Sequence, residues 1–238
     1  MLSNIASIFE RNGGEFSLPF SSIVEKLAGI KAFLFDWDGV FNAGIKGENV
    51  HSTFSEADSM GTNLLRFSYW LKTGKIPFTA IITGENNVSA FKLAKRECFN
   101  AVYFGFNHKI QALEHIKKHY LIQNKEVSFC FDDVLDLSLA REAGLRFVMR
   151  RNASPLFLEY IKKNQLGDYI SANEGQNHAV REICELILGL NNQYEDVLNQ
   201  RIAYNEAYQQ YLIEKKKIDI QFFTINNNIV VSDFIAMI

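Results

Sequence analysis

The chain has 238 residues, and 25 Lys+Arg against 27 Asp+Glu give a formal net charge of −2. With 47% hydrophobic and 22% charged residues, a disordered chain is excluded, and the balanced charge argues against nucleic acid or a membrane surface as a partner. Three scattered cysteines, Cys98, Cys130 and Cys184, exclude a disulfide scaffold and a clustered zinc site, and no apolar run approaches the roughly 20 residues of a membrane span. The expected setting is cytoplasmic.

Residues 1–30 read as a helical lead-in, with Ile23, Val24, Leu27 and Ala28 on one stripe. From Lys31 to Gly189, short apolar runs alternate with helical patterns. The runs Ala32–Phe35, Phe78–Ile82, Ala101–Phe104, Val127–Phe131 and Phe147–Met149 predict strands covered on both faces. Between them, Asn63–Leu71, Val88–Cys98, Lys109–Tyr120 and Leu135–Ala143 carry apolar residues at helical spacing. This alternation predicts an α/β domain over 31–189, built on a parallel sheet with helices on both faces. Residues 190–238 contain no Gly or Pro. There Tyr194, Val197, Tyr204, Tyr208, Tyr211 and Leu212 predict one long helix to about Lys217, with its tyrosines as a packing surface. Ile218–Thr224 and Ile229–Val231, divided by Asn226-Asn227-Asn228, predict a hairpin beyond it.

Function in an open parallel sheet collects at the carboxyl ends of the strands. The first run ends in Asp36-Trp37-Asp38-Gly39-Val40, two carboxylates whose burial demands a cation or a shared proton. The second ends in Thr83-Gly84, a hydroxyl and a permissive backbone suited to an anion. Lys109 opens a later helix, and the fourth run ends in Asp132-Asp133, with Asp136 one turn beyond. Each residue alone is explained by helix capping. The ordered set is not, and its hard oxygen donors suit Mg²⁺.

The order Asp-x-Asp-Gly-Val, apolar-Thr-Gly, Lys, Asp-Asp-x-x-Asp resembles the haloacid dehalogenase-like phosphatases, most closely the capless 3-deoxy-manno-octulosonate 8-phosphate phosphatases. The resemblance runs from Lys31 to about Leu188 and takes in Asp58-Ser59-Met60-Gly61. It implies a Rossmann-like fold and Mg²⁺-dependent hydrolysis of a small phosphorylated substrate. Asp36 would be the nucleophile, Asp38 the general acid and base, and Thr83 and Lys109 the holders of phosphoryl oxygens. The Asp36 and Asp132 carboxylates and the Asp38 carbonyl would bind the metal, oriented by Asp133 or Asp136. Gly84, Glu85, Asn86, Asp58 and Gly61 would contact substrate. The gaps between motifs are too short for an inserted cap domain, leaving at most a hairpin flap near Val40–Phe54; in the resembled subgroup a neighbouring subunit of a homotetramer supplies the lid.

The chain also departs from that pattern. Glu85-Asn86-Asn87 follows Thr83-Gly84 where the subgroup has Arg, and Ala57 precedes Asp58 where it has another Arg. Without those arginines, neutral phosphosugars should be handled at least as well as phosphorylated sugar acids. The alternative reading is a non-catalytic binding or scaffold module on the same fold. Trp37 and Cys130 read as core, His108 as a loop residue, and His115 and His119 as exposed helix histidines.

Overall fold

In chain order, the first elements are α1 (Leu2–Arg11), β1 (Glu15–Phe16), α2 (Phe20–Ala28), β2 (Ala32–Phe35), α3 (Glu56–Thr73) and β3 (Phe78–Ile82). Then come α4 (Val88–Glu97), β4 (Ala101–Tyr103), α5 (Ile110–Tyr120), β5 (Val127–Phe131), α6 (Leu137–Ala140) and β6 (Leu145–Val148). The last are α7 (Pro155–Lys163), β7 (Tyr169–Ile170), α8 (Ala179–Leu190), α9 (Tyr194–Ala203), α10 (Glu206–Lys215), β8 (Gln221–Asn226) and β9 (Ile229–Ser232). This computed structural model describes residues 2–48, 50 and 52–233. The strands form one sheet in the order β1-β7-β6-β5-β2-β3-β4-β8-β9. Pairing is parallel throughout except at the two edges, where β1 and β9 run antiparallel to β7 and β8.

The central strands are apolar on both faces because both faces are covered. Successive side chains of a strand point to opposite sides. Phe33 and Phe35 enter a core with Leu64, Phe67, Ile183 and Ile187 of α3 and α8. Ala32 and Leu34 enter the opposite core, with Leu113, Ile116, Leu139 and Ile161 of α5, α6 and α7. Parallel register sets Phe35 of β2 level with Ile81 of β3 and Cys130 of β5. The residues that follow these three strands therefore emerge together at one edge.

Several expectations are corrected. The lead-in is not purely helical: Glu15 and Phe16 pair with Ile170 and Tyr169 and close one sheet edge. The helix expected over Leu135–Ala143 is a 3₁₀ turn, Val134–Asp136, followed by the single turn of α6. Its start is held by Asp133, which accepts from the Val134 amide, while Asp136 reaches back to the Asp133 amide at 3.2 Å. Gly144 then passes so close to the Lys125 carbonyl that no side chain fits there. Among the described residues, the expected hairpin flap is absent. The described residues between Val40 and Phe54 carry turns and irregular backbone, tied down singly by the Trp37–Ser52 and Asn42–Gly44 bonds. A lone two-stranded ribbon is marginal in water.

The long C-terminal helix is two helices. Tyr204 takes a left-handed conformation (φ 47°), and Asn205 caps α10 by accepting from the Tyr208 amide at 3.0 Å. An Asn that can satisfy a helix start makes a break cheap. The hairpin beyond is present, turning at Asn227 and Asn228 with φ 48° and 60°, the twist a two-residue connection prefers. Its first strand joins the main sheet beside β4, with Phe222 level with Val102.

Candidate active site

Asp36, Thr83 and Asp132 are the first residues beyond β2, β3 and β5, and backbone hydrogen bonds carry the sheet one step past its strands to hold the first two. The Asp36 amide donates to the Cys130 carbonyl at 2.9 Å, and the Thr83 amide to the Tyr103 carbonyl at 2.8 Å. The cleft at this edge has a volume of about 260 Å³ and is lined by Asp36, Asp38, Thr83, Gly84, Glu85, Lys109, Asp132, Asp133 and Asp136. A larger cavity, about 870 Å³, lies between α2 and α3 at the opposite strand ends and holds no carboxylate cluster.

Asp36, Asp132 and Asp136 are buried, with carboxylate oxygens all within 4.8 Å of one another. The Lys109 ammonium bonds to both Asp36 Oδ1 and Asp136 Oδ1. Burial, then the neighbouring Asp136 and Asp132 charges, push the Asp36 carboxyl well above its usual range despite Lys109. Burial and Asp136 push Asp132 up to about 7, against the pull of Arg151. Burial disfavours the charged Lys109, but Asp36 and Asp136 more than offset it and raise its pKa. Three carboxylates and one ammonium cannot all be ionised in so small a volume unless more positive charge arrives.

The donor set fits a hard divalent cation. Asp132 Oδ2 and Asp38 Oδ1 are buried without a hydrogen-bond partner. Arg151 Nη2 approaches Asp132 Oδ2 to 2.6 Å, an ion pair lying outside hydrogen-bond geometry. The Asp132 oxygen that lacks a hydrogen bond, beside the Asp36 and Asp136 carboxylates, makes a cradle for an oxygen-preferring ion. Gly39, at φ 85°, is required here, because a side chain on it would strike the Asp132 carboxylate.

Around this cluster, Asp38 Oδ2 accepts from Lys46 Nζ at 2.5 Å and from Asn87 Nδ2 at 3.1 Å. Thr83 Oγ1 accepts from Asn87 Nδ2 at 2.9 Å and from the Glu85 amide at 3.3 Å. The structure differs from the sequence reading in four places. Asp136 sits within the carboxylate cluster itself, while Asp133, on the cleft wall, uses its carboxylate to cap Val134. Asn86 lies in a neighbouring depression with Lys46 and Val88. Asp58 and Gly61 are not at the cleft. Asp58, fully buried, accepts from the Ser55 hydroxyl at 2.7 Å and the Arg181 amide at 2.9 Å, joining the starts of α3 and α8. A Cβ on Gly61 would lie 3.2 Å from Arg181 Cα, so the glycine admits a close helix contact.

Lys46, Asn87 and Arg151 were not singled out as site residues. Only Asn87 gave a signal, as a polar residue shortly after Thr83-Gly84; the other two reach the site through the fold. Trp37 and Cys130 are buried, and burial pushes the Cys130 thiol up. His115 is half-buried, not exposed: it stacks on His119 and bonds Tyr103 at 3.0 Å, and burial lowers it to about 4.

No protein-family model matches the chain. Among proteins of known name it is similar to the 3-deoxy-D-manno-octulosonate 8-phosphate phosphatase of Yersinia pestis, 27% identical over 171 residues, covering 70% of this chain and 83% of that protein. The enzyme of the same name from Escherichia coli K12 is 25% identical, over 76% and 92%. Among solved structures, a haloacid dehalogenase superfamily (subfamily III A) hydrolase of Legionella pneumophila superposes with a TM-score of 0.64 at 28% identity, covering 77% of this chain and 95% of that one. The Moraxella catarrhalis 3-deoxy-D-manno-octulosonate 8-phosphate phosphatase, solved with magnesium, phosphate and the sugar acid, gives 0.64 at 28%, over 76% and 98%. Strand order, the acids at the strand ends and these relatives agree: the chain has the haloacid dehalogenase-like fold and is a homologue of its capless phosphatases.

Proposed function

We propose that this chain is a Mg²⁺-dependent phosphomonoester hydrolase acting on a small phosphorylated metabolite, a phosphosugar or sugar-acid phosphate. The observation that carries this reading is the buried Asp36 carboxylate beside Lys109, with Asp38 and Thr83 facing the same cleft. Asp36 attacks phosphorus and the bond to the leaving alcohol breaks, while Asp38 gives that oxygen a proton. Asp38 then takes a proton from water as the water attacks the aspartyl-phosphate, which releases phosphate and restores Asp36. Lys109 and Thr83 hold phosphoryl oxygens as charge shifts between them. Asp36, Asp132 and Asp136, with the Asp38 carbonyl, would hold Mg²⁺, which when bound offsets repulsion between the anionic nucleophile and its anionic substrate.

The cleft is open, and apolar side chains flank its mouth: Ile45 is 65% exposed and Leu135 68%. A homotetramer whose subunits cover one another's clefts would bury them and exclude water. A cytoplasmic location belongs to this reading, since it suits three free cysteines. Glu85 on the cleft wall favours substrates whose sugar carries no acid. The non-catalytic alternative leaves the orphaned carboxylates without a purpose to offset their cost.

Phosphate release is to be measured over a panel of sugar phosphates and sugar-acid phosphates, with Mg²⁺ and with excess chelator. Turnover with Mg²⁺ and none with chelator is expected, with neutral sugars served at least as well as acidic ones. No release from any ester supports the non-catalytic module, and a strong preference for the octulosonate ester refutes the argument from the missing arginines.

A further inference from the structure

Asn87 is the N-cap of α4, with φ −90° and ψ 98°, yet its side chain makes no hydrogen bond to its own helix. An Asn in that place ordinarily accepts from the first turn, a bond worth about 1 kcal/mol. Here both ends of the amide reach across the cleft. Nδ2 donates to Asp38 Oδ2 at 3.1 Å and to Thr83 Oγ1 at 2.9 Å. Oδ1 accepts from the Ser52 hydroxyl at 3.3 Å, and Ser52 Oγ accepts from Trp37 Nε1 at 2.8 Å. The reverse amide orientation would set Oδ1 against the Asp38 carboxylate, so the partners themselves decide which end is which.

These bonds dictate what is left free. Thr83 Oγ1 already accepts from Asn87 and from the Glu85 amide, so its own O–H remains to donate to an anion. On Asp38, Lys46 and Asn87 both occupy Oδ2, and Oδ1 is the buried oxygen without a partner. Resting on the phosphatase reading above, we propose that Asn87 is a positioning residue. It holds Asp38 so that Oδ1 carries the proton exchanged with the leaving alcohol, and it turns the Thr83 hydroxyl toward the phosphoryl group. Ser52, on the loop that stands where a flap was expected, holds the amide in this orientation.

The test compares esters that differ in their need for a proton. An aryl phosphate such as p-nitrophenyl phosphate expels a stable anion; a sugar phosphate expels an alkoxide that must be protonated. In single turnovers, Asn87→Ala should lower the rate with the fastest sugar phosphate of the panel by about a further tenfold or more beyond its effect on the aryl ester. Asn87→Ser, which can still cap α4, should fold as the parent does and show the same change in ratio. Equal losses on the two esters, or no loss on either, overturn this inference and leave the phosphatase reading intact. A wild-type chain inactive on both esters overturns the phosphatase reading and this inference together.

Discussion

Two clusters of buried charge lie at opposite ends of α4, and they are built on different accounts of charge. Beneath α10, Glu97 meets Lys215 at 2.7 Å and also accepts from the Ser59 hydroxyl at 2.7 Å and Asn63 at 3.4 Å. Arg66, fully buried, donates to the Glu97 and Cys98 carbonyls and lies over the Phe99 ring. Tyr208 and Tyr211 bond Asn63 and pack on Phe67. Cations there match or exceed the anions and both Glu97 oxygens are bonded, so the polar atom left without a partner is a cation's, Arg66 Nε. At the cleft, Asp36 and Asp136 share Lys109, Asp132 meets Arg151, and carboxylate oxygens stay without a hydrogen bond. Balance closes a network and makes it structural; imbalance held by the fold leaves a place for a ligand.

The largest break in this comparison is Asp36→Asn. It removes the nucleophile while easing repulsion within the cluster. Turnover should fall by about a thousandfold or more with the melting temperature kept or raised. Undiminished hydrolysis by the purified variant would end the mechanism.

Lys215→Met does the opposite. It removes the nearest cation from buried Glu97, which keeps Arg96 at 3.5 Å, so the fold should lose about 1 to 3 kcal/mol, read as a lower urea midpoint. The Mg²⁺ concentration giving half activity in the folded fraction should not move. A shift in that concentration would mean the two clusters are coupled.

A third effect follows from proton linkage. Burial and the neighbouring Asp136 raise Asp132 to about 7 in the metal-free fold, against about 3.8 for an exposed aspartate. The fold then binds more protons than the unfolded chain between those values, so stability falls as pH rises through them. The loss is bounded by roughly 4 kcal/mol, from about 1.4 kcal/mol for each unit. Saturating Mg²⁺ should flatten the slope, because ligation needs the deprotonated acid. Melting curves of the chelated protein and of Asp132→Asn across this range check it; a flat profile for the chelated wild type would show that Asp132 ionises freely without metal.

What could be read in the residues was what is local. A strand buried on both faces must be an apolar run, and an acid covalently next to such a run must emerge at its end. Ala32–Phe35 with Asp36, Phe78–Ile82 with Thr83, and Val127–Phe131 with Asp132 needed no more than that. What depends on distant packing stayed hidden. Asp136, not Asp133, joins the cluster because a 3₁₀ turn rotates it inward, a choice made by Asp133 capping Val134. Lys46, Asn87 and Arg151 meet the site across loops whose path no periodicity encodes, and Asp58 and Gly61 serve the α3–α8 contact because the two helix starts converge there. The C-terminal segment showed its tyrosines but not their destination. The edge of β4, which has backbone groups to pair, the apolar surface that buries Tyr211 and Phe222, and the charge of Glu97 beneath α10 draw it into the sheet and core.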